Sequence, residues 1–100
     1  MAWIEIRPQR WRFDQGSHRV LEGRIVSISE YTGRFGVCKR YIIRGKEGLW
    51  SITPGVGFDR RFALSGLKEG DPIRIEYEGR QSLPDGKTIN IYRLYRWIEG

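Results

Sequence analysis

The chain has a single cysteine, Cys38, and a single histidine, His18, in 100 residues. That scarcity excludes an intrachain disulfide, a zinc site built from Cys and His, and a cysteine–histidine pair with any choice of partners. Cys38 lies in an apolar stretch and reads as a small core residue, whereas His18, beside Gly16 and Ser17, reads as a loop residue. Long hydrophobic runs are missing too. Nothing approaches the roughly 18 apolar residues of a membrane span, and the opening M-A-W-I-E-I-R-P lacks the apolar core of a secretory signal. These absences predict a cytoplasmic protein without membrane contact. There is also no Walker glycine loop, no G-x-S-x-G elbow and no ligand cluster at metal spacing, and the G-V-G at residues 55–57 is too short to cradle a phosphate. The expectation is a protein that is not an enzyme and that needs neither metal nor cofactor.

Arginine and aromatic rings, by contrast, are plentiful. With 39% hydrophobic residues the chain can build one core, and its length suits one domain, since two would each bury too little apolar surface. The net charge of +6 points toward a polyanionic partner. Fourteen of the eighteen cations are arginine, whose planar fork grips phosphate and stacks on flat rings better than lysine does. Between Tyr31 and Lys46 five cations (Arg34, Lys39, Arg40, Arg44 and Lys46) meet no carboxylate. Glu69, Asp71, Glu76 and Glu78 instead crowd the stretch between Leu67 and Gly79.

Glycine and proline punctuate the chain at short intervals, as in strands joined by turns. Residues 3–13 alternate loosely and predict a short extra strand, followed by a loop at Asp14, Gln15, Gly16 and Ser17. Residues 19–31 predict a long first main strand in which Gly23 suits a bend or bulge, and Thr32-Gly33-Arg34 a hairpin turn. A second strand follows over residues 35–44 and a short third one over residues 49–53. Only residues 59–67 are helical in pattern, with Phe62, Ala63 and Leu67 on one face and Asp59 as N-cap. The phrase L67-K-E-G-D-P-I-R-I-E-Y-E-G79 launches a fourth strand with Ile73, Ile75 and Tyr77 inward. After a turn at Pro84, Asp85 and Gly86, a fifth strand runs over residues 88–98, with a bulge midway that swaps its faces. Three strands, a short helix and two strands is the order of an OB-fold, an all-β, five-stranded Greek-key barrel. The expected organisation is an N-terminal extension over residues 1–18 and an OB-fold domain over residues 19–100.

The L-x-x-G-D-x-I-x-I-x-Y-x-G phrase, with an aromatic-rich last strand after a D-G-K turn, resembles the small OB-fold single-stranded-DNA-binding proteins of phage and prokaryotic replication over residues 19–98. The chain ends at Trp97-Ile98-Glu99-Gly100 without the acidic, glycine-rich tail of the bacterial proteins, so the resemblance does not extend to partner recruitment through a tail. It implies non-catalytic binding of single-stranded DNA with low sequence preference. RNA binding by the same surface, or a protein-interaction module, are the alternatives, and a homodimer is compatible with so short a groove.

Such binding needs flat rings beside cations that follow the phosphate backbone. The candidates are Arg34, Phe35, Lys39, Arg40, Tyr41 and Arg44 on the second strand and its turn, and Trp50 on the third. Arg80 and Lys87 border the last hairpin loop, and Tyr92, Arg93 and Tyr95 lie on the last strand, which also carries Arg96 and Trp97. Tyr41 shares its parity with Lys39, which places it outward, although Val37 and Ile43 on that parity argue for burial. Trp50 reads equally as core or platform, and Tyr77 reads as core. Trp3, Trp11 and Phe13 can cap the barrel, pair with a second subunit or widen the groove.

Overall fold

The computed structural model describes residues 1–33 and 36–99. Its elements are β1 (Gln9–Arg10), β2 (Val20–Gly33), β3 (Gly36–Gly45), β4 (Gly48–Ile52), α1 (Val56–Ser65), β5 (Pro72–Ser82) and β6 (Thr88–Arg96). The six strands form one sheet in the order β1-β4-β3-β2-β5-β6. Strands β2, β3 and β4 are joined as antiparallel hairpins, and the chain returns through α1 to lay β5 beside β2, which is Greek-key order. Arg34 and Phe35 fall outside the described residues.

The fold is all-β with one helix between the third and fourth main strands, but the expected closed barrel is replaced by an open sheet. Strands β4 and β6 are not hydrogen-bonded to each other. The reason lies in the N-terminal extension. Its predicted strand contracts to two residues, which pair parallel with β4 (Gln9 opposite Trp50, Arg10 opposite Ser51), and the Trp11 N–H donates to the Ser51 carbonyl at 3.0 Å. The edge that β6 would need for closure is therefore already occupied. Phe13 packs on the β5–β6 side of the gap, its ring 5.2 Å from Tyr92 and 6.3 Å from Tyr77, and lies 6.1 Å from the Trp11 ring.

The core collects Leu21, Ile25, Tyr41, Ile43, Ile52, Phe58, Phe62, Ile73, Ile75, Tyr77 and Tyr92. Ile73, Ile75 and Tyr77 are buried while Arg74 and Glu78 are exposed, the period-two pattern of a strand with one wet face. The helix starts three residues before the expected N-cap. Gly55 is the capping residue, with no side-chain cap, and Phe58 and Phe62, one turn apart, form the buried stripe. Asp59 then lies inside the first turn, where its carboxylate is free to cross to β3: it accepts the Tyr41 hydroxyl at 2.8 Å and the Lys39 backbone N–H at 3.1 Å.

Strand β2 serves two partners, pairing with β5 through its first residues and with β3 through the rest. Its bulge falls between Ile25 and Ser27, not at Gly23. Gly23 has a different duty, because a Cβ there would run into the Arg44 carbonyl and the Ile43 side chain. The expected irregularity in the last hairpin sits on β5, where Glu78 is the extra residue between the Tyr77–Tyr92 and Gly79–Ile91 pairs, and Gly79 takes a φ of 106°. No helix among the described residues is long and apolar enough to cross a membrane.

Candidate nucleic-acid interface

Residues directly opposite one another on adjacent strands share a face of the sheet. Leu49, Arg44 and Arg24 make one row across β4, β3 and β2, and Ser51, Ile42 and Ser27 make the next. Arg40 opposite Ser29 and Cys38 opposite Tyr31 complete this outer face. These rows hold three arginines and no carboxylate, while Glu22, further back on the same face of β2, is paired with Arg74. The Arg40 guanidinium lies over the half-buried Tyr31 ring, 5.3 Å from its centroid, a cation–π contact that orients the charge without neutralising it. Arg24 donates to the Gly70 carbonyl at 2.6 Å, which fixes one nitrogen and leaves the rest of the fork available.

Two arginines of β5 and β6 are in a different state. Arg74 is ion-paired to Glu22 and Glu76, and Arg93 to Glu78. The Glu22 hydrogen bond foremost holds Arg74 above the ordinary guanidinium range, and a Tyr95 hydrogen bond followed by the Glu78 charge does the same for Arg93. Among the described residues, Arg24, Arg40 and Arg44 take part in no ion pair. These three form a cluster of unpaired cations on β2 and β3; Arg80 and Arg96 also join no ion pair among the described residues but stand apart from it.

Several predicted site residues are elsewhere. Tyr41 is 1% exposed and is a core residue, not a stacking platform, because its parity is that of Ile43, and Ile52 and Ile28 pack beside it. Burial, and then the hydrogen bond and charge of Asp59, push its phenol far above the usual tyrosine range. Tyr92 is 9% exposed and likewise core; burial, then the neighbouring Tyr77, raises its phenol. Lys39 points with Tyr41 to the inner side and is half-buried. Trp50 is half-buried against the core, edge to face with Trp11 at 4.9 Å, while Trp11 stacks on His18 at 4.4 Å. Arg80 and Lys87 are exposed on the β5–β6 hairpin, where Leu83 donates its N–H to the Lys87 carbonyl at 2.7 Å. Tyr95 is 39% exposed on β6.

Of the predicted set, Arg40 and Arg44 lie on these acid-free rows; Arg93 and Tyr95 lie on the same face of the sheet, in rows that carry Glu76 and Glu22. Arg24 and Tyr31, which lie in the acid-free rows, were not among the sequence candidates, and Trp97, which was, is 71% exposed. The strand alternation carried the signal for Arg24, which has the outward parity of Glu22. Among the described residues no three His, Cys, Asp or Glu side chains gather where a metal ion could be held. No family model, curated protein or solved structure matches the chain.

Proposed function

We propose that the chain is a non-catalytic single-stranded-DNA-binding module of OB-fold type, with little sequence preference. The observation that carries the reading is a charge cluster: Arg24, Arg40 and Arg44 stand on neighbouring rows of one face with no carboxylate among those rows and, among the described residues, in no ion pair, whereas Arg74 and Arg93 of the adjoining strands are ion-paired. Like charges held together on a strand face cost stability unless a polyanion neutralises them, and phosphates do so with release of counterions. The Greek-key order with a helix before β5 further supports the reading, since OB-folds are partly open Greek-key barrels that bind oligonucleotides on the face of their second and third strands. Those strands correspond here to β3 and β4. Flat rings beside the arginines, Tyr31 under Arg40 and Tyr95 and Trp97 beyond β2, supply π-faces for bases of any identity.

The test is a titration of labelled oligo-dT, oligo-rU and duplex DNA at two salt concentrations. Salt-sensitive binding with preference for oligo-dT is the expected result. Preference for oligo-rU would transfer the function to RNA, and absence of binding to every polymer together with self-association would make the chain an assembly module.

A further inference from the structure

A shallow cleft of about 330 Å³ lies on the outer face where β2, β5 and the chain beyond β6 meet, lined in part by Glu22, Gly23, Pro72, Arg74, Tyr95 and Trp97. Its floor follows from the register. Glu22, Arg74 and Tyr95 form one row across β2, β5 and β6, and Arg24 and Pro72 form the next, which continues over β2 to Arg44. The acid-free arginine row and the cleft are therefore parts of one surface. Three strand spacings of about 4.8 Å separate β3 from β6, so Arg44 and the aromatic wall stand roughly 14 Å apart.

The chemistry of the cleft selects its occupant. Glu22, the carboxylate in its wall, is held by the Arg74 ion pair. What remains is an apolar floor at Pro72 and Gly23 and two rings left to solvent, Trp97 at 71% and Tyr95 at 39% exposure. Arg24 stands at the side facing Arg44, its guanidinium anchored on Gly70. A ligand with a flat π-face at one end and a negative charge at the other fits this layout. An unpaired nucleobase on its phosphodiester chain has both.

We propose that this cleft is a base-stacking subsite, in which one unpaired base lies against Trp97 while the adjacent phosphates run to Arg24 and Arg44. The inference rests on the single-strand-binding reading and extends its track from β3 across β2 to the end of β6. It also separates the labour: charge on β2 and β3, stacking at Tyr95 and Trp97.

The experiment compares wild type, Trp97→Ala, Trp97→Phe, Tyr95→Ala and Arg44→Ala for binding of an oligo-dT of roughly ten nucleotides and of an abasic chain of the same length. Trp97→Ala should weaken oligo-dT binding about tenfold, Trp97→Phe should restore most of it, and the abasic chain should bind wild type and Trp97→Ala alike. Because Trp97 lies outside the core, thermal melting should not change. If Trp97→Ala and Tyr95→Ala bind oligo-dT as wild type does while Arg44→Ala weakens it, the cleft is not a subsite and the single-strand reading stands. If wild type itself does not bind oligo-dT, that reading falls and the subsite with it.

Discussion

Replacing Tyr41 distinguishes a core ring from a binding ring. The side chain is 1% exposed, its ring centroid lies 5.3 Å from that of Phe58 and 4.8 Å from that of Phe62, and its hydroxyl donates to Asp59. Tyr41→Ala would leave a cavity at the junction of helix and sheet; truncating a buried aromatic costs about 3–5 kcal/mol. Asp59 would also lose a donor, adding about 1 kcal/mol. The sum, about 4–6 kcal/mol, is a large share of the roughly 5–15 kcal/mol that holds a domain together. For a chain of this size it lowers the melting temperature by roughly 15–50 °C. Tyr41→Phe keeps the ring and loses only the hydroxyl bond, about 1–2 kcal/mol, or roughly 5–15 °C. Thermal melts by circular dichroism give both values, and oligo-dT titration of the folded Tyr41→Phe protein gives its affinity, which should equal wild type. A Tyr41→Ala protein that melts within about 2 °C of wild type and binds oligo-dT about tenfold more weakly would refute the core assignment.

Other outcomes follow from the same packing. The folded-state phenols of Tyr41 and Tyr92 are raised above the ordinary value of 10.0 by burial, so the unfolded chain releases these protons first. Their contribution to stability is complete below that value and shrinks as pH rises past it; denaturant midpoints should fall on the alkaline side, less steeply in Tyr41→Phe, and a flat profile there would contradict the burial. Gly23→Ala places a methyl group against the Arg44 carbonyl and should destabilise by about 1–3 kcal/mol, read as a shift in the denaturation midpoint with unchanged slope. Phe13→Ala removes the ring packed on Tyr92 and Tyr77 beside the open seam and should cost about 2–4 kcal/mol, whereas Trp3→Ala, on a fully exposed ring, should leave melting unchanged.

The sheet was legible wherever alternation was unbroken. Ile73, Ile75 and Tyr77 read as an inward row because Arg74, Glu76 and Glu78 separate them, and the glycine and proline turns marked the strand ends within a few residues. The open seam was not legible, because it depends on which edge Gln9 and Arg10 reach, and two paired residues leave no periodic trace. Asp59 misled for a related reason. An aspartate before a helical run has the signature of an N-cap, but the Phe58 and Phe62 stripe pulls the helix start back to Val56 and frees the carboxylate for Tyr41. The rings were the hardest part. Burial of Tyr41 and Tyr92 is decided by the facing strands and α1, so a mixed face such as Val37, Lys39, Tyr41 and Ile43 does not reveal its direction by itself. The basic, acid-free segment was plain in the sequence, and pairing with β2 then added Arg24 and Tyr31 to it.

The salt dependence of oligo-dT binding in two sets of arginine variants tests the central claim most directly. Each phosphate neutralised on a single strand contributes about 0.7 to the slope of log affinity against log salt. Replacing Arg24, Arg40 and Arg44 together with glutamine should flatten the slope by about 2, and replacing the ion-paired Arg93 should change it by less than about 0.3. Equal flattening by Arg93→Gln, or an unchanged slope in the triple variant, would contradict a binding face on β2, β3 and β4.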